Sequence, residues 1–324
     1  MPTEPRAFVA TAGQSGLTVL AALRQWLPDA SWSAVRKLVA GRHVLVNEAL
    51  CLDEARRIKA GETVTLSGST LRPPPSERDV RLVWLDHEVI VVEKPAGMMT
   101  LRHAAERSWS ASKKRRQPAL DDLLPELVAQ SESSHAPGQG GPRGVYSVHR
   151  IDRDTSGLLV FARSPESQHV LIRQFKEHTV ERTYLAIAHG DVAAQTIESF
   201  LVEDRGDGKR GSAASRDKGK RAVTHVRPLK RLDGFTLLEC RLETGRTHQI
   251  RIHLSEAGHP LYGDIKYGDN KYGDIKYGGP RLALHAATLG FLHPTGGKLL
   301  RFDSTPPPDF SSLVERLLRP AARE

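Results

Sequence analysis

Two aspartates and two arginines lie within five residues of one another near the middle of the chain, in the run Arg150-Ile151-Asp152-Arg153-Asp154. Because nearby positive charge lowers the pKa of a carboxyl group, we expect Asp152 to stay ionised between Arg150 and Arg153. An ionised carboxylate could act as a nucleophile, a general base or a cation ligand. The same residues could equally form a network that only ties a turn together, and their spacing leaves both interpretations open.

The elements around this run would hold it on a rigid surface. Gly157 marks a turn, and the apolar residues after it predict a buried strand. Further along, residues 182–188 alternate as a strand that contains Tyr184, and a hairpin turns at Asp233-Gly234. That hairpin leads to a second polar cluster, in which Arg246 would lie at a junction between a strand and a helix.

The first part of the chain predicts a compact unit of two helices followed by two strands. Leucines recur at helical spacing over residues 17–27, and Ser31 or Ser33 can cap a second helix that ends at Gly41. Residues 44–47 then read as a strand.

Basic residues accumulate on the second helix and the turn after it. Arg36, Lys37 and Arg42 could contact phosphates there. A solvated helix face is the ordinary alternative. Residues 67–75 include three consecutive prolines and predict a linker, because proline continues neither helix nor sheet.

The composition favours a soluble globular protein with a polyanionic partner. In 324 residues, 47 Lys and Arg against 38 Asp and Glu give a net charge of +9, which favours nucleic acid through counterion release. Many basic proteins nevertheless bind no nucleic acid. Two cysteines, Cys51 and Cys240, argue against a disulfide framework and against a zinc site built on paired cysteines. We see no signal peptide and no stretch long enough to span a membrane, and therefore expect a cytoplasmic protein.

A five-residue unit, Tyr-Gly-Asp-Ile-Lys, occurs three times in succession, over residues 262–266, 267–271 and 272–276, with Asn270 in place of isoleucine in the second copy. Its tyrosines could stack on nucleic-acid bases. An expanded surface loop is the simpler interpretation.

The run from His149 to Gly157 resembles the signature of RluA-type pseudouridine synthases, with Ile151 in place of the usual leucine. Residues 94–97, Lys-Pro-Ala-Gly, resemble the family's lysine-proline-x-glycine loop, and residues 244–251, Thr-Gly-Arg-Thr-His-Gln-Ile-Arg, match another of its motifs. Chance does not explain two long motifs of one family in the expected order.

The resemblance implies isomerisation of uridine to pseudouridine in RNA, without a cofactor. The bond between ribose carbon 1′ and the base nitrogen breaks, the base turns, and a bond to carbon 5 forms. Asp152 would be the essential aspartate, either as a covalent nucleophile or as a base that takes a proton from the sugar. Tyr184 would pack against uracil and could remove the last proton, and Arg246 would pair with Asp152. The ordinary alternatives are a core tyrosine at Tyr184 and a salt bridge from Arg246 to Glu243 or Asp154.

By the same analogy, four residues near the flipped nucleotide are expected to contact the RNA: Arg150, Arg153, Thr155 and His248. In the first unit, a capped helix, a glycine and then Val-x-Val-Asn over residues 33–47 resemble the small RNA-binding module named after ribosomal protein S-four.

The predicted fold class is α+β. A pseudouridine synthase-like catalytic domain over residues 80–324, with a mixed, mostly antiparallel sheet, follows a small α/β RNA-binding module over residues 1–72. The expected partner is RNA, with large-subunit ribosomal RNA as the first candidate and transfer RNA as the second. We expect a monomer with no membrane partner, no cofactor and no metal.

Two other classes of function are weighed against this one. His149, His248 and His253 suggest the metal site of a nuclease, but His248 and His253 are five residues apart on a predicted helix and do not share a face. The family that the chain resembles uses no metal. A non-catalytic RNA-binding or ribosome-assembly factor is the other alternative, and the joint presence of Asp152, Tyr184 and Arg246 argues against it.

Overall fold

The computed structural model describes residues 6–47, 49–68, 70–71, 73–133, 144–206, 209–213, 215, 218–268 and 281–318. The described residues divide into two compact units, one up to Pro74 and the other from Pro75. Each unit has a hydrophobic core of its own. Of the repeated five-residue units, residues 262–266 are described, whereas residues 269–276 lie outside the described residues.

The N-terminal unit contains two short helices and an antiparallel sheet. Its elements are β1 (Arg6–Val9), α1 (Val19–Trp26), α2 (Trp32–Ala40), β2 (Val44–Val46), β3 (Ala49–Leu50) and β4 (Thr63–Leu66). The strands are ordered β1-β4-β2-β3. Ser31 caps α2, because its hydroxyl accepts a hydrogen bond from the Ala34 amide, and Gly41 ends the helix. Both predicted helices are confirmed, and β1 and β3 add two strands that the sequence pattern did not predict.

The second unit is built on one large sheet. Its strands are β5 (Arg81–Leu85), β6 (Val89–Lys94), β7 (Tyr146–Ser147), β8 (Ser156–Ala162), β9 (Glu181–His189), β10 (Gln195–Val202), β11 (Gly211–Ser212), β12 (Lys220–Leu232), β13 (Phe235–Leu242), β14 (Leu284–Leu292) and β15 (Leu299–Asp303). Their order is β11-β10-β12-β13-β9-β14-β8-β6-β5, with β7 beside β8 and β15 beside β14. The pairs are antiparallel except for β8 with β14, which is parallel. The predicted mixed, mostly antiparallel sheet is therefore confirmed.

Helices lie between these strands and after them. They are α3 (Ala111–Arg116), α4 (Leu120–Ser133), α5 (Pro165–Lys176), α6 (Gln249–Glu256) and α7 (Pro308–Leu318). In the part of the chain that is described, none of the helices combines the length and the apolar character that crossing a bilayer requires.

Gly157 lies where β8 pairs with β14, at a point with no room for a side chain. Its φ is +115°, and a Cβ there would overlap the Ala286 carbonyl oxygen and lie 2.7 Å from the Ala286 amide nitrogen. We expect Gly157→Ala to lower the free energy of unfolding by about 3 kcal/mol, because positive φ and overpacking are each costly. Denaturant unfolding measures this loss.

Gly234→Ala is the matched control for this substitution. Gly234 also has a positive φ, +71°, but no atom lies within 4 Å of the position of its Cβ. Only backbone strain should act there, at a cost of about 1 kcal/mol. Equal losses in the two variants would contradict the steric explanation.

Candidate active site

A cavity of about 540 Å³ opens in the second unit. It is bordered by the loop before β8, by β9 and α5, and by the turn that leads from β13 into α6. Its lining includes the three residues predicted to be catalytic, Asp152, Tyr184 and Arg246. The fold thus brings together side chains that are far apart in the sequence.

Asp152 lies in the loop before β8, and its side chain is 17% exposed. Its Oδ2 is 3.6 Å from Arg251 Nη1, and its Oδ1 is 3.9 Å from His248 Nε2. Burial raises the pKa of the Asp152 carboxyl, and the charges of Arg251 and Arg150 offset part of this rise. The expected lowering of the pKa is therefore wrong, because the loss of hydration outweighs the nearby arginines.

Arg251, and not Arg246, is the arginine beside Asp152. Among the described residues, Arg246 makes no ion pair with Asp152, and its Nε donates a hydrogen bond to the Arg221 carbonyl oxygen at 3.0 Å. Arg251 also forms a two-point pair with Asp264, in which Nε donates to Oδ2 and Nη2 donates to Oδ1, both at 2.8 Å. Sequence reasoning missed Arg251, although it is the last residue of the matched motif over residues 244–251.

Tyr184 projects from β9 and is 9% exposed. Burial raises the pKa of its hydroxyl to about 12, Arg182 lowers it, and Asp152 raises it further. A general base works best when its pKa lies near the working pH. The tyrosine hydroxyl therefore keeps its proton at neutral pH and suits packing and hydrogen-bond donation better than proton removal.

His248 directly precedes α6 and has a left-handed backbone conformation, with φ 60° and ψ 18°. Its Nδ1 lies 2.8 Å from the Tyr267 hydroxyl. Burial, followed by the charge of Arg251, lowers the pKa of His248 to about 3, so the ring is neutral at pH 7. When the Tyr267 hydroxyl donates to Nδ1, the ring carries its hydrogen on Nε2, which faces Asp152.

The Lys-Pro-x-Gly loop is tied to the loop that carries Asp152. Lys94 is 1% exposed, and its Nζ donates hydrogen bonds to the carbonyl oxygens of Pro95, Met98 and Arg153 at 2.8, 2.7 and 2.9 Å. The Gly97 amide donates to the same Arg153 oxygen at 2.8 Å. Burial lowers the pKa of Lys94 to about 7, against the raising effect of nearby aspartates. This loop therefore helps to fix the backbone next to Asp152.

The residues predicted to contact RNA in this unit have different environments. Arg150 is exposed at the cavity, and Arg153 pairs with Asp154 at 2.9 Å. Thr155 lines the cavity but is only 1% exposed, and its contact with the RNA backbone remains a prediction. Its amide donates to the Asp152 carbonyl oxygen at 3.2 Å and closes the turn.

Three other residues that line the cavity, one histidine and two cations, were not singled out from the sequence: His178, Lys176 and Arg182. Arg182 lies two residues before Tyr184 on β9 and donates from Nη2 to the Glu243 carbonyl oxygen at 2.6 Å. Its place on the strand of Tyr184 was the available signal.

The basic residues predicted in the N-terminal unit lie on or just after α2. Arg36 and Lys37 are exposed, and Arg36 pairs with Glu54 at 2.9 Å. Arg42 follows the helix with a left-handed φ of 62°.

The histidines that suggested a metal site make other hydrogen bonds. His149 Nε2 accepts from the Val160 amide at 3.1 Å, and the nitrogens of His253 face the Thr224 and Ser199 hydroxyls at 2.9 and 3.0 Å. Within the described ranges, no group of three or more His, Cys, Asp or Glu side chains is arranged to hold a metal ion.

Known proteins resemble this chain over most of its length. The sequence profile described as RNA pseudouridylate synthase matches residues 88–256. The chain is 35% identical to ribosomal large subunit pseudouridine synthase D of Zymomonas mobilis subsp. mobilis, with 98% of both proteins covered. It is 37% identical to the protein of the same name from Neisseria meningitidis serogroup B, over 92% of this chain and 78% of the relative.

A solved structure shows the same fold. The human protein named RNA Pseudouridylate Synthase Domain Containing 4 superposes with a TM-score of 0.57 at 24% identity, over 73% of this chain and 92% of the human chain.

Proposed function

Because the chain belongs to the RNA pseudouridylate synthase family, we propose that it isomerises specific uridines of large-subunit ribosomal RNA, with Asp152 as its essential carboxylate. The chain is an RNA pseudouridine synthase, as its family and its relatives indicate. The ribosomal substrate is carried over from the names of those relatives. The single observation that supports the site is the cavity in which Asp152 faces Arg251 and Tyr184 is also present.

The cavity suits an extruded nucleoside. An enzyme that acts on a base in structured RNA must unstack it, at a cost of a few kcal/mol, and hold it in a pocket. A cavity of about 540 Å³ has room for a ribose and a uracil. Arg150, Lys176 and Arg182 give it a positive lining that favours the flanking phosphates. The Tyr184 ring offers a face on which uracil can pack.

The environment of Asp152 supports either chemical role considered for it. Arg251 and Arg150 favour the ionised form, and Nε2 of neutral His248 lies 3.9 Å from the carboxylate. Partial burial leaves that carboxylate poorly hydrated and therefore reactive, whether it attacks carbon 1′ or removes a proton from the sugar. Tyr184, which keeps its proton, is assigned to packing and hydrogen-bond donation.

The pH dependence of the reaction follows from the same environment. Only ionised Asp152 can act, and burial raises its pKa above the ordinary 3.8 while Arg251 and Arg150 lower it and Asp154 and Asp264 raise it. The ionised fraction falls as pH drops through this raised pKa. We therefore expect the single-turnover rate to decline at a higher pH than a free aspartate would give. An acid limb centred at or below 3.8 would contradict the burial argument.

We also propose that the N-terminal unit is an RNA-binding module of the S-four type, spanning residues 1–72, and that residues 80–324 form the catalytic domain. In support, α2 carries exposed Arg36 and Lys37 together with Trp32, which is 54% exposed. Basic side chains beside an exposed aromatic ring can bind phosphates and stack on bases. The same proposal treats the protein as a cytoplasmic monomer.

Mapping pseudouridines in RNA from cells with and without the gene tests the proposed function. Loss of one or a few modified positions in large-subunit RNA, restored by the wild-type gene but not by Asp152→Asn, is the expected result. Losses confined to transfer RNA would overturn the ribosomal assignment. No loss in any RNA would overturn the proposal as a whole.

A further inference from the structure

One turn between α6 and β14 contacts two side chains that face Asp152, those of Arg251 and His248. Asp264 binds Arg251 through two hydrogen bonds, and the Tyr267 hydroxyl lies 2.8 Å from His248 Nδ1. These two residues belong to the first two copies of the repeated five-residue unit. Neither residue takes part in the chemistry proposed for Asp152.

We propose that Asp264 and Tyr267 are positioning residues of the isomerase. Asp264 aims Nη1 of Arg251 at the Asp152 carboxylate, and Tyr267 does the same for Nε2 of His248. This inference rests on the proposed function, because it assigns the two residues to the same reaction.

The geometry of the Asp264 pair leaves Arg251 little freedom. The Asp264 side chain is fully buried, and its two oxygens accept from Nε and Nη2 of the guanidinium. Two parallel hydrogen bonds fix the plane of a guanidinium group, whereas one leaves it free to rotate. With that edge of the fork bound, Nη1 lies 3.6 Å from Asp152 Oδ2.

The Asp264 carboxylate is itself held by the turn. Its Oδ1 accepts from the amides of Lys266 and Tyr267, both at 3.0 Å. The Gly268 amide donates to the Asp264 carbonyl oxygen at 2.8 Å. A carboxylate anchored to the backbone in this way can act as a fixed support for Arg251.

Tyr267 positions the second side chain, that of His248. It is 8% exposed, its carbonyl oxygen accepts from the Ser255 hydroxyl on α6 at 2.6 Å, and its ring lies 5.1 Å from the Arg251 guanidinium carbon. Donation of a hydrogen bond from the Tyr267 hydroxyl to Nδ1 would leave the hydrogen of the neutral His248 ring on Nε2. The turn therefore orients two different donors toward one carboxylate.

A merely structural Asp264–Arg251 pair would affect stability and folding but not the chemical step in folded protein. A positioning pair should slow the chemistry while the affinity for RNA stays the same. Single-turnover tritium release separates the two roles, because the hydrogen on uracil carbon 5 leaves when the new carbon–carbon bond has formed. The substrate is unmodified large-subunit RNA, transcribed with uridine tritiated at carbon 5.

In folded protein, we expect Asp264→Asn to lower the tritium-release rate by about 10²-fold, the usual effect of a misplaced catalytic group. Tyr267→Phe keeps the ring and should lower the rate about tenfold through loss of one hydrogen bond. The dissociation constant for RNA should change less than about twofold in both variants. Asp264→Glu, which keeps the charge, should be faster than Asp264→Asn.

Asp191→Asn is the control, because Asp191 belongs to the same unit and its side chain is 62% exposed. Its rate should equal that of the wild type, and an equal loss in Asp191→Asn and Asp264→Asn would overturn the assignment. So would wild-type rates in folded Asp264→Asn and Tyr267→Phe. If Asp264→Asn does not fold, Tyr267→Phe decides. A wild-type protein that releases no tritium would overturn the proposed function, and this inference with it.

Discussion

Asp152→Asn is expected to lower the single-turnover rate of uridine isomerisation by about 10⁴-fold, the upper range for loss of one acid-base or nucleophilic group. The substitution keeps the shape of the side chain but removes the charge that attacks carbon 1′ or accepts the sugar proton. Affinity for RNA should change little, because exposed basic residues such as Arg150 supply the phosphate contacts. Tritium release and a binding titration with the same RNA measure the two effects.

Asp191→Asn serves as the control for Asp152→Asn. Asp191 belongs to the same unit, but its side chain is 62% exposed and pairs with Arg231 at 2.9 Å. An exposed pair of this kind contributes little to stability, and we expect a wild-type rate. An Asp152→Asn variant that retained a tenth of the wild-type rate, a loss of only about 1.4 kcal/mol, would remove Asp152 from the chemistry.

Arg251→Met is expected to have the largest effect on stability. It leaves Asp264 fully buried without its cation and Asp152 without its nearest positive charge. Breaking a buried ion pair from one side costs about 3–5 kcal/mol of unfolding free energy. The rate in folded protein should also fall by about 10³-fold, because a preorganised donor beside the reacting carboxylate is lost. Denaturant unfolding measures the loss of stability. Tritium release at denaturant concentrations below the unfolding transition measures the loss of rate.

Arg246→Met tests whether Arg246 and Arg251 have different roles. Arg246 donates to a backbone carbonyl oxygen and is only partly buried, so its replacement should cost about 1 kcal/mol of unfolding free energy. If Arg246→Met destabilised the protein as much as Arg251→Met, the structural assignment of the Asp152 partner would be wrong.

The contrast between these arginines shows what the sequence could and could not predict. Local patterns predicted the strand after Gly157, the hairpin of β12 and β13, and the strand that carries Tyr184, because turn chemistry and alternation act over a few residues. The choice between Arg246 and Arg251 depends on where α6 begins. His248 adopts a left-handed φ of 60° there, and no local pattern indicates that a histidine will do so.

Burial was the second property that the sequence could not supply. The arginines next to Asp152 are visible in the sequence, and they predicted a lowered pKa. The surrounding fold that excludes water from the carboxyl is not visible, and it raises the pKa. The partner that completes the Arg251 pair, Asp264, is contributed by a turn 13 residues further along.

Helix α4 was missed for a different reason. Leu120, Leu124 and Val128 are buried and spaced by four residues, which is a helical pattern. Pro125 lies inside the helix, and a proline at that point normally argues against one. Packing of the apolar face against the core outweighs the local preference.

The most direct test of the central claim is a crystal structure of the protein with an RNA whose target uridine carries fluorine at carbon 5. Fluorine cannot leave that carbon as the hydrogen does, so the last step of the reaction is blocked. We expect the fluorinated base in the cavity beside Tyr184, joined through its carbon 5 to the sugar, with carbon 1′ about 3.5 Å from the Asp152 carboxylate. A target base bound outside this cavity, or a sugar beyond the reach of Asp152, would contradict the account.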